Sequence, residues 1–250
     1  MEYIQFNLLK PYSTICHGIF TRNQGFSKKP FNSLNVSLNI GDDKNLVFKN
    51  RKKILQFMKF KKSFYLNQVH GKEIFILKKD NYLKNQKIDI NNRVGDGIVT
   101  NIPEILLVIQ TADCQSILMY DPLKKVIANI HSGWQGSIQN IIKAGIDTMI
   151  NCFQCKPENI LSCIGPSLGP CCCEFINYKT EIPKNLWKYK LKNNYFDFWK
   201  LSFDQLILQG VKSHNIEIKK KCTKCSTKDF FSYRKEKITG RFASVLGIKK

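Results

Sequence analysis

Four apolar runs follow one another through the middle of the chain: Ile98 to Thr100, Ile105 to Ile109, Ile117 to Tyr120 and Val126 to Ile130. Each is too short for a helix and none alternates with polar residues, so all four read as strands buried on both faces. An Asp121-Pro122 turn separates the last two. Taken as neighbours in one sheet, they require that sheet to be covered on both sides.

The flanking sequence supplies covering elements. Strand-like runs lie at Thr14 to Phe20, Val36 to Ile40, Phe64 to Leu66 and Ile74 to Leu77. Between them Leu46, Val47, Ile54, Leu55 and Met58 keep a helical period, with Asp42 or Asp43 as N-cap and Arg51 on the helix. Ile138, Ile141, Ile142, Gly145, Ile146, Met149 and Ile150 predict a second helix that starts after Gly136-Ser137. Ile160 to Ile164 reads as a buried strand, and Ser202-Phe203-Asp204-Gln205 has the form of a capping box opening a helix to about His214. Ala243 to Ile248 is a last strand, and the polar stretch from Lys78 to Arg93 reads as a long surface loop. This order predicts an α/β (α+β) layered fold, carried by one domain over residues 1–250.

The formal charge of +21 comes from 40 basic and 19 acidic residues. Only five of the basic residues are arginines (Arg22, Arg51, Arg93, Arg234, Arg241), and the lysines are scattered instead of gathered into a block. No dedicated nucleic-acid partner is expected from that pattern, although the charge attracts phosphate-bearing ligands. The ten cysteines occur without a secretion signal, and no apolar run approaches the length of a bilayer span, so the expectation is a cytoplasmic protein with reduced thiols. The pairs Cys152/Cys155 and Cys222/Cys225 could join as a four-cysteine structural zinc site, against which their separation counts, being wider than in a zinc ribbon. In Cys171-Cys172-Cys173 the three side chains cannot all point one way; one or two should pack and the rest be incidental.

Three residues at strand ends carry the chemistry. His70 stands in Asn67-Gln68-Val69-His70-Gly71, Cys114 in Thr111-Ala112-Asp113-Cys114, and His131 in His131-Ser132-Gly133-Trp134. Two imidazoles and a thiolate suit zinc, and three protein ligands leave a fourth position for water or substrate. Singly, each also has an ordinary structural reading: a packed cysteine, or a histidine satisfied in the core. After His131, the glycines Gly133 and Gly136 enter a helix whose free N–H groups favour an anion. His17 ends another strand-like run near Arg22, His214 reads as structural, and the aromatics around Phe230 to Arg234 read mainly as core.

Together with His17-Gly18-Ile19-Phe20-Thr21-Arg22, Asp96-Gly97, Ile164-Gly165-Pro166-Ser167-Leu168-Gly169-Pro170 and Thr239-Gly240-Arg241, these motifs resemble the YfiH-type purine nucleoside phosphorylases, earlier described as laccase-like polyphenol oxidases. The resemblance runs nearly end to end. It implies mixed sheets flanked by helices and zinc held by His70, Cys114 and His131, which are also the catalytic centre. It further implies phosphorolysis of adenosine, inosine, guanosine and methylthioadenosine, with inorganic phosphate as co-substrate, and deamination of adenosine to inosine. One His/Cys/His set cannot hold the several coppers of a laccase. The chain has Gln135 where the family commonly has Arg or Lys, and Gln115-Ser116 after Cys114 where apolar residues and proline are common. Phosphate would then fall to Arg22, Arg51 and the amides of the Gly133 and Gly136 loop. Asp113 is a weak candidate for proton transfer. Two other readings stay open: a Cys/His amide hydrolase acting on peptidoglycan precursors, with Cys114 as nucleophile and His131 as base, and a non-enzymatic nucleic-acid binder.

Overall fold

The four central runs all form strands, but they divide between two sheets. The computed structural model describes residues 1–78 and 93–250, so the expected loop from Lys78 to Arg93 lies outside the described residues except at its ends. The strands are β1 (Tyr3–Ile4), β2 (Ile15–Phe20), β3 (Lys62–Phe64), β4 (Ile74–Leu77), β5 (Gly97–Thr100), β6 (Ile105–Thr111), β7 (Gln115–Asp121), β8 (Val126–Ser132), β9 (Leu161–Ile164), β10 (Ile216–Ile218) and β11 (Phe242–Ile248). The helices are α1 (Lys44–Phe57), α2 (Trp134–Ile138), α3 (Ile141–Phe153), α4 (Tyr178–Glu181), α5 (Phe198–Leu208) and α6 (Tyr233–Glu236). One sheet has the order β1-β2-β11-β6-β3 and the other β10-β9-β7-β8-β5-β4, and each mixes parallel with antiparallel pairs.

The period of two along each strand explains why these runs are apolar throughout. Leu107 of β6 and Leu118, Tyr120 and Ile127 of β7 and β8 meet in the core between the sheets. Leu106 and Val108 turn the other way, onto Ile54 and Met58 at the α1 side. Ile117, Met119, Ala128 and Ile130 pack on Ile142, Ile146 and Met149 of α3 and Leu206 of α5. The result is four layers, helix, sheet, sheet and helices, with both faces of both sheets covered. Asn129 ties the sheets together by donating from Nδ2 to Leu107 O at 3.2 Å and Ser244 O at 2.9 Å.

The expected N-cap holds: the Asp43 side chain accepts the Asn45 N–H at 2.8 Å, and α1 carries Arg51. Three expectations are corrected. Val36 to Ile40 is not a strand, because Val36 N–H bonds Arg241 O while Asn35 Oδ1 takes the Ser37 N–H in a local turn. The helix expected around Ile138 to Ile150 is broken into α2 and α3 at Asn140, whose φ is 59° and whose side chain caps α3 at the Lys143 N–H. The capping box at Ser202 lies inside α5, which starts at Asp197 with its side chain accepting the Lys200 N–H at 2.9 Å. Ser202 donates its hydroxyl to Gln115 instead. His214 falls beyond α5 in a short 3₁₀ turn, Ser213–Asn215. No helix among the described residues is long and apolar enough to cross a membrane.

His17 on β2 is buried, and its Nε2 accepts the Phe6 N–H at 2.9 Å, so that nitrogen is unprotonated. Burial pushes its pKa down to about 4 from 6.5. At pH above 6.5 neither folded nor unfolded chain protonates it; as pH falls from 6.5 towards 4 only the unfolded chain takes the proton, and stability is lost. Urea unfolding of the wild type is expected to show a loss of about 3 kcal/mol across that window. His17→Gln, which keeps an acceptor and does not titrate, should flatten that slope; an unchanged slope would rule His17 out as its source.

Candidate metal centre

The first site residue comes from the end of a strand pair. Asp96 immediately precedes β5, whose Gly97 sits opposite Ile130 on β8, so the Asp96 backbone oxygen accepts the His131 N–H at 2.6 Å. The Asp96 carboxylate, fully buried, then accepts from His131 Nδ1 at 2.8 Å. The same carboxylate gathers the backbone N–H groups of His70 (2.9 Å), Gly71 (2.8 Å) and Val69 (3.2 Å). That cradle bends the chain sharply enough to put His70 at φ 61°, in the left-handed region. One aspartate therefore positions both histidines, whose rings meet edge to face at 4.8 Å between centroids.

Cys114 arrives from a different direction. It lies in the turn that carries the chain from β6 in one sheet to β7 in the other, a turn made tight by Asp113 at φ 88°. Asp113 is held by Thr223, whose Oγ1 donates to Oδ1 at 2.6 Å, and by the Arg234 N–H on Oδ2 at 2.6 Å. With both oxygens engaged it positions Cys114 and is not free to shuttle protons. The ligand atoms of His70, Cys114 and His131 all lie within 4.8 Å of one another. Because Nδ1 of His131 is bound to Asp96, Nε2 is the atom it presents, the usual arrangement in which a carboxylate orients a metal-binding imidazole.

The electrostatics match a ligand set. Burial works against a Cys114 thiolate, but His131 and His70 beside it outweigh burial and pull its pKa down to about 6. Burial likewise disfavours a His131 cation, yet the Cys114 and Asp96 charges raise it to about 9. Burial also opposes the Asp96 charge, and the His131, Gly71 and His70 hydrogen bonds overcome it, holding the carboxyl below its ordinary range. A thiolate and an oriented imidazole pair are the donors a borderline metal ion selects.

Gly133 explains why this loop needs glycine. A Cβ there would stand 2.8 Å from His70 Cδ2 and 3.3 Å from Cys114 Sγ, although its φ of −71° suits any residue. Gly133→Ala is expected to push the His70 ring aside and lower metal affinity 10-fold or more, within the range seen when a ligand's support is removed. Metal titration by calorimetry measures this, and unchanged affinity would mean the ring is not a ligand.

The three side chains open onto a cleft of about 630 Å³. Its walls include Tyr65, Trp134, Phe175, Phe198 and Tyr233, together with Arg51, Arg234 and Arg241. Arg51 stacks on Tyr65 at 3.8 Å and donates from Nε to Val36 O at 2.8 Å. Arg241 Nη1 is steadied by Thr239 O and Gly240 O. Arg22, expected to bind phosphate, does not line the cleft: Nη1 pairs with Glu236 at 2.7 Å and Thr227 O, Nε with Asn32 O, and the group stacks over Phe231. Gly133 and Gly136, also expected to bind phosphate, are outside it as well; the missing Cβ of Gly136 makes room for Gly71 O at 2.9 Å. Gln135 is exposed and away from the cleft. Sequence reasoning quoted Asp96, Arg234 and Arg241 within motifs but assigned them no part in the site; an aspartate directly before a strand-like run was the available signal for the first.

Residues 16–249 match the model of a family described as multi-copper polyphenol oxidoreductase laccase. The chain belongs to that family. It is 29% identical to the purine nucleoside phosphorylase YlmD of Geobacillus stearothermophilus over 95% of its own length and 91% of the relative's. It is 30% identical to the purine nucleoside phosphorylase YfiH of Escherichia coli over 90% of each. The crystal structure of YfiH from Bacillus licheniformis superposes with a TM-score of 0.87 at 27% identity, covering 95% of this chain and 94% of that one. The two mixed sheets flanked by helices are thus the shared fold.

Proposed function

We propose that this member of the family is a single-domain, zinc-dependent purine nucleoside phosphorylase acting on adenosine, inosine, guanosine and methylthioadenosine, and that it also deaminates adenosine. The observation that carries the proposal is the convergence of His70, Cys114 and His131 at a cleft that is both aromatic and arginine-lined. A purine is a flat, apolar body with polar edges, which suits Tyr65, Trp134 and Phe175. Gln110 Oε1 is buried at the cleft with no hydrogen-bond partner among the described residues, an acceptor for a ribose hydroxyl or a base N–H. Phosphate is assigned to Arg51 and Arg241, whose planar forks grip and orient an oxyanion for attack at C1′ while the C1′–N9 bond breaks and the purine leaves. Arg22, Gly133 and Gly136 have no part in this assignment. His70, Cys114 and His131 would hold the zinc, which when bound would supply Lewis acidity at the cleft.

The test is product analysis with adenosine, with and without phosphate, beside metal analysis. Phosphate-dependent adenine and ribose 1-phosphate, and phosphate-independent inosine, are expected and should vanish in Cys114→Ala. No turnover of any of the four nucleosides by metal-loaded protein would overturn the proposal.

One observation favours a second reading. Cys114, His131 and Asp96 also form a nucleophile, base and orienting carboxylate in sequence, the arrangement of a Cys/His amide hydrolase. The third ligand atom, from His70, has no task in that chemistry, which places the hydrolase second.

A further inference from the structure

Away from the cleft, two segments remote in sequence bring four sulfurs together. Ser167 and Cys222 form an isolated parallel bridge, with Ser167 N–H to Lys221 O at 3.3 Å and Thr223 N–H to Ser167 O at 3.0 Å. This fastens the loop that follows β9 to the segment that follows β10, and Cys171, Cys172, Cys222 and Cys225 place all four Sγ atoms within 4.8 Å of one another. Cys225 Sγ lies 3.5 Å from Cys172 Sγ and 3.8 Å from Cys171 Sγ. The partner of Cys222/Cys225 is therefore the adjacent pair Cys171-Cys172 and not Cys152/Cys155; of the run in which one or two cysteines were expected to pack and the rest to be incidental, Cys173 packs and the other two are members of a cluster.

We propose that these four cysteines bind a second metal ion, as a structural zinc tetrathiolate distinct from the His70/Cys114/His131 centre. A tetrahedron with zinc–sulfur bonds of about 2.3 Å has sulfur–sulfur edges of about 3.8 Å, and Cys225 Sγ stands 3.5 Å from Cys172 Sγ and 3.8 Å from Cys171 Sγ. A disulfide would need about 2.05 Å. Packing does not account for the cluster, since Cys171 and Cys225 are exposed and Cys172 is only half-buried. Cys222, the buried member, receives the Gly169 N–H at 3.3 Å on its sulfur, a donor suited to a thiolate. Four thiolates on one divalent ion leave two negative charges; Lys224 lies within the second cysteine pair, and Lys220 and Lys228 lie on either side of it in sequence. Thr223, inside that pair, bonds Asp113 beside Cys114, and Leu168 N–H bonds Asp113 O at 2.8 Å. The metal thus staples together the two segments that brace the Cys114 turn. The proposal does not depend on the nucleoside chemistry above.

The test is zinc content per chain in protein purified under reducing conditions from zinc-supplemented culture, wild type against Cys225→Ser and Cys172→Ser. Each variant is expected to lose about one equivalent of zinc, as one structural site predicts, while cobalt(II)-loaded wild type shows an intense thiolate-to-cobalt band that in the variants falls to the weak band of the single Cys114 thiolate. X-ray absorption of the wild type decides even if the variants do not fold, because a tetrathiolate raises the average sulfur count per zinc well above the single sulfur of the His/Cys/His set. Equal zinc in wild type and variants, an average of one sulfur per zinc, or a mass lower by two hydrogens from a Cys172–Cys225 disulfide would each overturn it.

Discussion

Asp96→Asn is expected to release the metal from the His70/Cys114/His131 set and to cost about 3 kcal/mol of folding stability, at the lower end of what breaking a buried charge pair costs. The carboxylate accepts from His131 Nδ1 and from three consecutive backbone N–H groups. An amide of the same shape keeps one acceptor oxygen and turns two N–H donors towards groups that are themselves donors. His131 is then free to rotate or change tautomer, and the Val69 to Gly71 bend, which holds His70 at φ 61°, loses its anchor. Both histidines move together, so the loss should exceed the 10- to 100-fold affinity typical of one supporting residue. Metal analysis after dialysis and urea unfolding measure the two effects. Full metal retention would show that the histidines hold their places without the carboxylate.

Cys114→Ser is expected to remove the metal and reduce nucleoside turnover on the order of 10³-fold, since Lewis-acid stabilisation is worth several kcal/mol and each 1.36 kcal/mol is a factor of ten. Alkylation separates this from the hydrolase reading. With its pKa drawn down to about 6, Cys114 of metal-stripped protein is mainly thiolate at pH 7, and its rate of reaction with iodoacetamide should fall as pH drops through 6. Restoring zinc should suppress that reaction and restore turnover together. A Cys114 that alkylates equally fast with zinc present, in an enzyme that needs no metal, would establish the nucleophile.

The strands were legible from composition because a buried strand carries its own signature. Leu106 and Val108 face one core and Leu107 another, so both sides of the strand are apolar there. Their distribution was not legible: β6 lies between β5 and β7 in sequence yet pairs in the other sheet with β3 and with β11, the latter more than a hundred positions away. Helix ends failed where a local hydrogen bond overrode periodicity, as at Asn140, whose side chain caps a new helix inside an unbroken apolar pattern.

The site divides along the same line. His70, Cys114 and His131 stood out in the sequence by residue type and by position at strand ends, because ligand chemistry belongs to the side chain itself. What the side chains touch does not. Arg22 and Arg51 look alike in sequence, but Glu236 and Asn32 consume the first while the second faces the cleft. Asp96 and the pairing of Cys171-Cys172 with Cys222 and Cys225 likewise depend on which segments the sheets bring side by side. Residue chemistry and burial pattern are local and are written in the sequence; partnership is a long-range outcome of packing, and only the tertiary structure decides it.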